Sequence, residues 1–174
     1  MSLLSKVKGL LPGGDPIVPR EPVSYRPIGV VRNRVKESRP DGWEGVRSDI
    51  ILREDLTDAI DPIEGFSHVI VVFDFHAVPE DVRRLRIPVG NETPPPERGV
   101  LATRSQLRPN GIGVSVVKVE HRRKNVLRVT GLDAINGTPV LDLKPYLPEY
   151  DAVPAATLPS WAVKGDAASG TGSR

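Results

Sequence analysis

The 174-residue sequence contains no cysteine. This absence excludes disulfide bridges, thiolate-bound zinc and cysteine nucleophiles, and it is compatible with a reducing compartment, for which we predict the cytoplasm. Long apolar runs are also missing, since none approaches the roughly 20 residues of a membrane span. The net charge is only +2. The overall charge therefore does not indicate a nucleic-acid partner, although local basic clusters are compatible with one.

The composition that remains is that of a folded domain. Hydrophobic residues make up 39% and charged residues 26% of the chain, which is typical of a soluble globular protein of one domain. Apolar residues near the N-terminus (Leu3, Leu4, Val7, Leu10 and Leu11) have helical spacing. They predict a short helix that packs on the domain, on a partner or on a membrane surface. We expect an extension over residues 1–22, a domain over 23–160 and a flexible tail over 161–174.

Strand patterns dominate the domain. The runs with strand character are VSYRPIGVVRN, SDIILRE, SHVIVVFDFH, RGVLATRS, IGVSVVKVE, NVLRVTGLDA and INGTPVLDLKPYLP. DLTDAI predicts one or two helical turns, HRRKN a tight turn, and Asn136-Gly137 a hairpin. Long helical periodicity is almost absent. The sequence therefore predicts an all-β barrel or sandwich with short helical turns.

The strongest strand signal, SHVIVVFDFH, divides its side chains between two faces. Val69, Val71, Phe73 and Phe75 share one face, which is wholly apolar, and His68, Ile70, Val72, Asp74 and His76 share the other. The two histidines and the aspartate could bind a metal ion, but no further cluster of ligands accompanies them. Hydrogen-bonded barrel or interface residues are the interpretation that we favour, and we predict no metal.

The segment 100–119 contains a Gly-x-Gly that resembles a nucleotide-binding motif. A dinucleotide fingerprint requires a helix after the glycines. Here Gly111-Ile112-Gly113 precedes the β-branched run VSVVKV, which predicts a strand. The motif is therefore interpreted as a turn between two strands, and a Rossmann-like fold is excluded.

Other polar residues allow two interpretations each. The clusters Arg83/Arg84/Arg86 and Arg122/Arg123/Lys124 are either solvated turns or contacts to RNA phosphates. Trp43 either stacks on a base or covers the barrel. Four charged residues stand in apolar strands, namely Arg104, Asp133, Asp142 and Lys144. Buried charges need partners, so they either pair as Arg104–Asp133 and Asp142–Lys144 or bind a ligand carboxylate and ribose hydroxyls.

Four blocks follow one another along the chain, over about residues 24–151: YRPIGVVRN, EGFSHVIVVFDFH, ATRSQLRPNGIGVSVVKV and GLDAINGTPVLDLKPYLPEYD. In this order they resemble the TrmO family (also called YaeB or VirR-like). The resemblance implies a small β-barrel that uses S-adenosylmethionine to methylate N6 of threonylcarbamoyladenosine next to the anticodon of tRNA. It also implies a homodimer with the cofactor near the subunit interface.

The resemblance further implies site residues. The cofactor pocket would comprise Pro40, Asp41, Gly42, Trp43, His76, Ala77, Arg104, Val114, Thr130, Gly131, Leu132 and Asp133. The tRNA would contact Arg108, Asn110, Lys144 and Tyr146. The carbamoylated N6 is a poor nucleophile, so a general base is expected, and Asp142 and His68 are the candidates.

The sequence departs from the family pattern in three places. The usual RPNP is RPNG, so that Gly111 stands where the family has proline. The loop PDGWEG differs in length from its counterparts. We also expect no counterpart of the additional C-terminal domain that longer relatives carry.

Overall fold

Residues 22–162 are described by the structure, which is a computed structural model. The predicted N-terminal helix and nearly all of the predicted tail lie outside these residues. Eight strands form: β1 (Gly29–Arg32), β2 (Arg47–Leu52), β3 (His68–Asp74), β4 (Arg86–Pro88), β5 (Glu97–Gly99), β6 (Ile112–Arg123), β7 (Val126–Thr130) and β8 (Pro139–Pro145). The helix α1 (Pro148–Asp151) follows. Single 3-10 turns are Glu54–Leu56, Asp58–Ile60, Ile63–Gly65, Glu80–Val82, Val100–Ala102 and Ser160–Ala162.

Six of the strands close into an antiparallel barrel in the order β1-β2-β7-β6-β3-β8, so the predicted all-β barrel is confirmed. The strand β6 is 12 residues long and changes neighbour along its length. Its first half pairs with β3 and its second half with β7, with a register shift between Val119 and His121. The predicted tight turn after β6 is confirmed, and Lys124 adopts a φ of 53° there.

The alternation predicted for β3 is confirmed, since Val69, Val71 and Phe73 are buried and at most 1% exposed. Burial of such side chains contributes roughly 1.5–3 kcal/mol each. The interior also contains Val31, Ile50, Leu52, Ile60, Val117, Leu127, Val129, Leu132, Ala134 and Val140. His68 and Asp74 lie on the outer side of β3, and His76 lies beyond its end.

Two local predictions are wrong. Most of the run RGVLATRS is not a strand, because β5 ends at Gly99 and a 3-10 turn follows. The Thr103 hydroxyl donates to the Val100 carbonyl and accepts from the Ser105 amide. Such local hydrogen bonds compete with a strand ladder.

The turn at Asn136-Gly137 does not make a hairpin, because β8 pairs with β1 and β3 and not with β7. The Gly137 amide instead donates to the Val31 carbonyl, at 2.8 Å. The predicted helical turns after β2 are confirmed.

A small hairpin of β4 and β5 stands beside the barrel. It is joined to the end of the described chain by Arg98, whose guanidinium lies 4.5 Å from the centre of the Trp161 ring. Within residues 22–162, no helix has the length and apolar character needed to cross a membrane.

Candidate active site at one end of the barrel

A cleft opens at the end of the barrel where β1, β3 and β7 finish and β2, β6 and β8 begin. It consists of adjoining cavities of about 300, 580 and 450 Å³ that share Phe75 and Asp133 as lining residues, in part with Trp43, Arg104 and Gln106. Of the predicted cofactor residues, seven line it: Pro40, Trp43, His76, Ala77, Arg104, Val114 and Asp133. The fold therefore brings together residues that are up to 93 positions apart in sequence.

The apolar wall of the cleft is made by Phe73 and Phe75, whose rings meet edge to face with centroids 5.4 Å apart. Phe73 pairs across the strands with Gly113. A β-carbon on Gly113 would lie 2.4 Å from the Phe73 ring. The second glycine of the Gly-x-Gly thus makes room for this ring. It lies inside β6, which begins at Ile112, so a strand and not a helix continues from the motif, which confirms that the motif is not a nucleotide-binding loop.

Arg104 and Asp133 face the same cleft without pairing to each other. The Arg104 Nη2 donates to the Val114 carbonyl at 2.5 Å, and the Asp133 carboxylate accepts from the Ser115 hydroxyl. No salt bridge joins them among the ion pairs of residues 22–162. The alternative in which they neutralise each other is therefore wrong. A cation and an anion held apart in one cleft suit a ligand that carries both charges.

The loop before β2 covers one side of the cleft. The Trp43 indole N–H donates to the Arg39 carbonyl at 3.0 Å, and the Arg39 guanidinium lies 4.8 Å above the indole ring. The same guanidinium donates to the carbonyl of Gly42, at 2.5 Å. Asp41 and Gly42 form the exposed turn of this loop and do not line the cleft.

The segment Thr130–Leu132 supports the cleft from behind. The Leu132 side chain is fully buried in the barrel interior, so only its backbone could contact a ligand. The Thr130 hydroxyl is buried and has no hydrogen-bond partner. The Gly131 amide donates to the Val46 carbonyl at 3.0 Å and ties this segment to the loop that carries Trp43.

Gln106 is a cleft residue that the sequence did not reveal. It lines two of the cavities, beside Trp43 and Asp133. It lies in the irregular segment between β5 and β6, where no periodicity indicates a direction. Lys36, Glu37 and Ser38, which follow β1, also line the cleft and were not predicted.

The residues predicted for the tRNA are distributed over different surfaces. Arg108 lines the cleft, but its guanidinium donates to the Ser105 and Thr103 carbonyls at 3.0 and 2.7 Å and braces the loop that carries Arg104. Asn110 lines a separate groove beside Asp74 and Arg83. Lys144 and Tyr146 lie at the other end of the barrel, at and beyond the end of β8.

The two candidate bases do not reach the cleft of their own chain. His68 is the first residue of β3, and the last residue of β3 lies at the cleft, so the length of this seven-residue strand separates His68 from the cleft. The His68 ring approaches Tyr146 edge-on at 6.5 Å and the Ser67 hydroxyl at 2.9 Å. Asp142 lies on the outer side of β8, where it pairs with Lys144 at 2.6 Å, which confirms that alternative. This contact raises the pKa of Lys144.

The prediction that four charged side chains are buried is wrong. Arg104, Asp133 and Lys144 are exposed and Asp142 is half-buried, because they lie at the barrel end or on its outer face.

Of the basic clusters, Arg122 is bound by Asp61 and Glu64, and Arg83 donates to the Pro109 carbonyl at 2.6 Å. Residues 22–162 contain no group of three or more acidic or histidine side chains that could hold a metal ion.

A family model described as the tRNA-methyltransferase O N-terminal domain matches residues 36–152. The chain belongs to the TrmO family. The matched residues include those that line the cleft, from Lys36 on the loop after β1 to Thr138 before β8. The family assignment therefore concerns the barrel itself.

Individual relatives agree with this TrmO assignment. The chain is 39% identical to the S-adenosyl-L-methionine-binding protein of Archaeoglobus fulgidus over 132 residues, which cover 74% of this chain and 92% of that protein. It is 34% identical to the tRNA (adenine(37)-N6)-methyltransferase of Escherichia coli, over 76% of this chain and 61% of that enzyme. A crystal structure of TrmO from Pseudomonas aeruginosa matches with a TM-score of 0.63 and 32% identity, over 83% of this chain and 64% of that one. The chain thus spans less than two thirds of the length of the two bacterial relatives and nearly all of the archaeal one.

Proposed function

We propose that this TrmO barrel binds S-adenosylmethionine in the cleft and transfers its methyl group to N6 of threonylcarbamoyladenosine next to the anticodon of tRNA, acting in the cytoplasm. The observation that carries the proposal is the cleft in which Arg104 and Asp133 stand unpaired. The names of the relatives support the cofactor and the adenine N6 target. The threonylcarbamoyl group is the finer part of the proposal and rests on the family resemblance.

The residues present fit the cofactor. Arg104 keeps guanidinium donors for a carboxylate after its one bond to Val114. Asp133 keeps acceptor positions for ribose hydroxyls after its bond to Ser115. Trp43 offers a ring face for a purine. These groups match the amino acid, ribose and base of one ligand.

The bound cofactor supplies an electrophilic methyl group on a sulfonium ion. The protein then has to align donor and acceptor in line and exclude water. The Phe73–Phe75 wall and the Trp43 loop exclude water on two sides of the cleft. Arg108 holds the loop of Arg104 in place through its two carbonyl contacts.

Removal of the N6 proton needs a base near the substrate. His76 lines the cleft of its own chain, whereas His68 and Asp142 could serve only the cleft of a partner subunit. Substituting His76, His68 and Asp142 one at a time, and measuring the rate of methyl transfer at saturating tRNA, assigns the base. The residue whose loss lowers the rate at least tenfold, with cofactor affinity unchanged, is the base.

We further propose that the TrmO barrel forms a homodimer through the outer side of β3 and the first half of β6. Ile112, Val114 and Val116 are 41%, 43% and 51% exposed there, which makes an apolar stripe of adjacent side chains. Such patches mark interaction sites. We expect Val116→Glu to convert a dimer to a monomer in sedimentation, and Val30→Glu, at a similarly exposed valine of β1, to leave the dimer intact. A monomeric wild type would refute the dimer.

Cofactor binding is tested by calorimetry with S-adenosylmethionine on wild type, Arg104→Ala and the control Arg53→Ala, which lies at the opposite end of the barrel. Loss of one charge-assisted contact, about 1.5–3 kcal/mol, predicts at least a tenfold weaker Kd for Arg104→Ala only. Equal affinity of Arg104→Ala and wild type would remove Arg104 from the pocket. Absence of binding to wild type would refute the proposal.

Methyl transfer is tested with labelled cofactor and bulk tRNA from cells with and without the threonylcarbamoyl modification. Label that enters only modified tRNA supports the proposed reaction. Cofactor binding without transfer would instead indicate a non-catalytic S-adenosylmethionine-binding barrel. Label in unmodified tRNA or in another molecule would indicate a methyltransferase with a different substrate.

A further inference from the structure

The outer surface of β1, β2, β7 and the second half of β6 carries a surplus of positive charge. We name this surface the basic face; its cations are Arg32, Arg47, Lys118, Arg123 and Arg128, together with His121, and all six side chains are exposed. Within these four strands, the only carboxylates are those of Asp49 and Glu120. The face adjoins the apolar stripe at β6, where Lys118 follows Val116 on the same outward side of the strand, and it extends from there across β7, β2 and β1.

Strand register aligns these charges in one row. Arg32 lies opposite Asp49, Asp49 opposite Arg128, and Arg128 opposite His121, so the row crosses four neighbouring strands. Directly opposed side chains on neighbouring strands lie within about 5.5 Å of each other. Arg128 binds the Asp49 carboxylate with two bonds of 2.7 and 2.9 Å. With Arg32 and His121 as further neighbours, this bond lowers the pKa of Asp49. The single acid of the row is thus surrounded by cations.

Three cations of the basic face form no ion pair within the part of the chain that the structure describes. Arg32, Arg47 and Arg123 take part in none of the salt bridges found within residues 22–162. Two of them stand at the cleft, because Arg32 ends β1, Arg47 begins β2, and the loop between these strands carries Lys36 and Trp43 into the cleft. Arg123 lies at the far end of the same face, opposite Val126. These three arginines therefore extend the positive charge from the mouth of the cleft to the opposite end of the barrel.

We infer that the basic face binds the phosphate backbone of the RNA whose target base enters the cleft. A polyanion fits a row of spaced, exposed arginines, because the electrostatic attraction between arginine and phosphate needs no specific contact geometry. Phosphate contacts position a nucleic acid without reading its sequence. This inference rests on the proposed function, since it assumes an RNA substrate. It assigns the RNA to residues other than Lys144 and Tyr146, which lie at the other end of the barrel.

The test is tRNA methylation by the double variant Arg32→Gln/Arg47→Gln. Its matched control is Arg26→Gln/Arg53→Gln, which removes the same charge just beyond the opposite ends of the same two strands, since Arg26 precedes β1 and Arg53 follows β2. We expect the first variant to raise the KM for tRNA at least tenfold and to leave kcat and the S-adenosylmethionine Kd unchanged. Loss of two phosphate contacts should also lower the salt dependence of tRNA binding, by about 1.4 in the slope of log K against log salt. The control should match wild type in all of these.

Asp49→Asn provides a test in the opposite direction. It removes the acid of the row and frees Arg128, so we expect it to lower the KM for tRNA several-fold. A KM and salt slope equal to those of wild type in Arg32→Gln/Arg47→Gln would overturn the inference while methyl transfer by wild type stands. Binding of wild type to phosphatidylserine vesicles that the double variant loses, with an unchanged KM for tRNA, would assign the face to a membrane and also overturn it. Failure of wild type to methylate any tRNA would instead refute the proposed function.

Discussion

Replacing Gly113 by alanine tests whether the tight contact with Phe73 shapes both the barrel interior and the cleft. The new β-carbon would lie 2.4 and 2.5 Å from two atoms of the Phe73 ring, whereas unstrained carbon atoms stay about 3.5–4.0 Å apart. Phe73 is 1% exposed, so its ring can move only toward the cleft that it lines, and this movement would disturb its edge-to-face contact with Phe75. Forced overpacking of this kind costs about 1–3 kcal/mol.

The control for this experiment is Gly111→Ala, the other glycine of the same motif. A β-carbon there would meet the Asp74 carboxylate at 3.1 Å and the Arg83 guanidinium at 3.2 Å. Both atoms are ends of flexible side chains, which can move by a few tenths of an ångström. We therefore expect Gly111→Ala to change the free energy of unfolding by less than about 1 kcal/mol.

The assay is urea unfolding followed by circular dichroism, completed by a double-mutant cycle. We expect Phe73→Leu to destabilise wild type by leaving a cavity, but to destabilise Gly113→Ala less, because leucine vacates the space that the added methyl group needs. The coupling free energy should reach at least about 1 kcal/mol. Equal stability of the Gly111→Ala and Gly113→Ala variants, or additive effects in the cycle, would refute the steric argument.

Two further predictions concern polar groups. The bond from Arg128 lowers the pKa of Asp49, so its stabilisation is present above the unfolded-state pKa and is lost as the pH falls through the folded-state value. Because the pair is partly exposed, Asp49→Asn should lower the free energy of unfolding by only about 0.5–1 kcal/mol at pH 7. In urea unfolding, the difference between wild type and variant should shrink as the pH falls from 7 to about 3. A difference that stays constant with pH would show that the Asp49–Arg128 pair is not its source. The Thr130 hydroxyl is buried without a partner, so Thr130→Val should raise the free energy of unfolding by up to about 1 kcal/mol, measured in the same way without cofactor. If the hydroxyl belongs to the cofactor pocket, the same substitution weakens S-adenosylmethionine binding in calorimetry, and a destabilised variant would show that the hydroxyl has a partner after all.

The parts of the fold that could be predicted are those with a simple period. Val69, Val71 and Phe73 alternate with polar or less buried residues, and a half-buried strand follows from that pattern. The β-branched residues after Gly113 likewise predicted β6. The segment after Gly99 could not be predicted in this way, because the Thr103 hydroxyl decides its conformation through hydrogen bonds that a hydrophobic pattern does not contain.

The cleft was predictable only in part, for a geometric reason. Alternation along a strand tells the inside of a barrel from its outside, but it does not tell one end of the barrel from the other. Arg104 and Asp133 were therefore taken for buried residues, although they lie at the open end. His68 looked equivalent to Asp74 on one face of β3, yet the two stand at opposite ends of that strand. The family resemblance supplied the grouping of Trp43, Arg104 and Asp133 that periodicity could not.

The long strand β6 has a consequence for how this barrel can change during evolution. Its outward side chains are apolar while it pairs with β3 and charged where it pairs with β7, so one strand carries part of two surfaces with different chemistry. Substitutions at outward positions can adapt either surface separately. The register shift between Val119 and His121 lies between the two surfaces. An insertion or deletion of one residue in either half would reverse the alternation of that half and turn its outward side chains inward. We therefore expect related barrels to vary freely in outward residues of this strand while keeping its length.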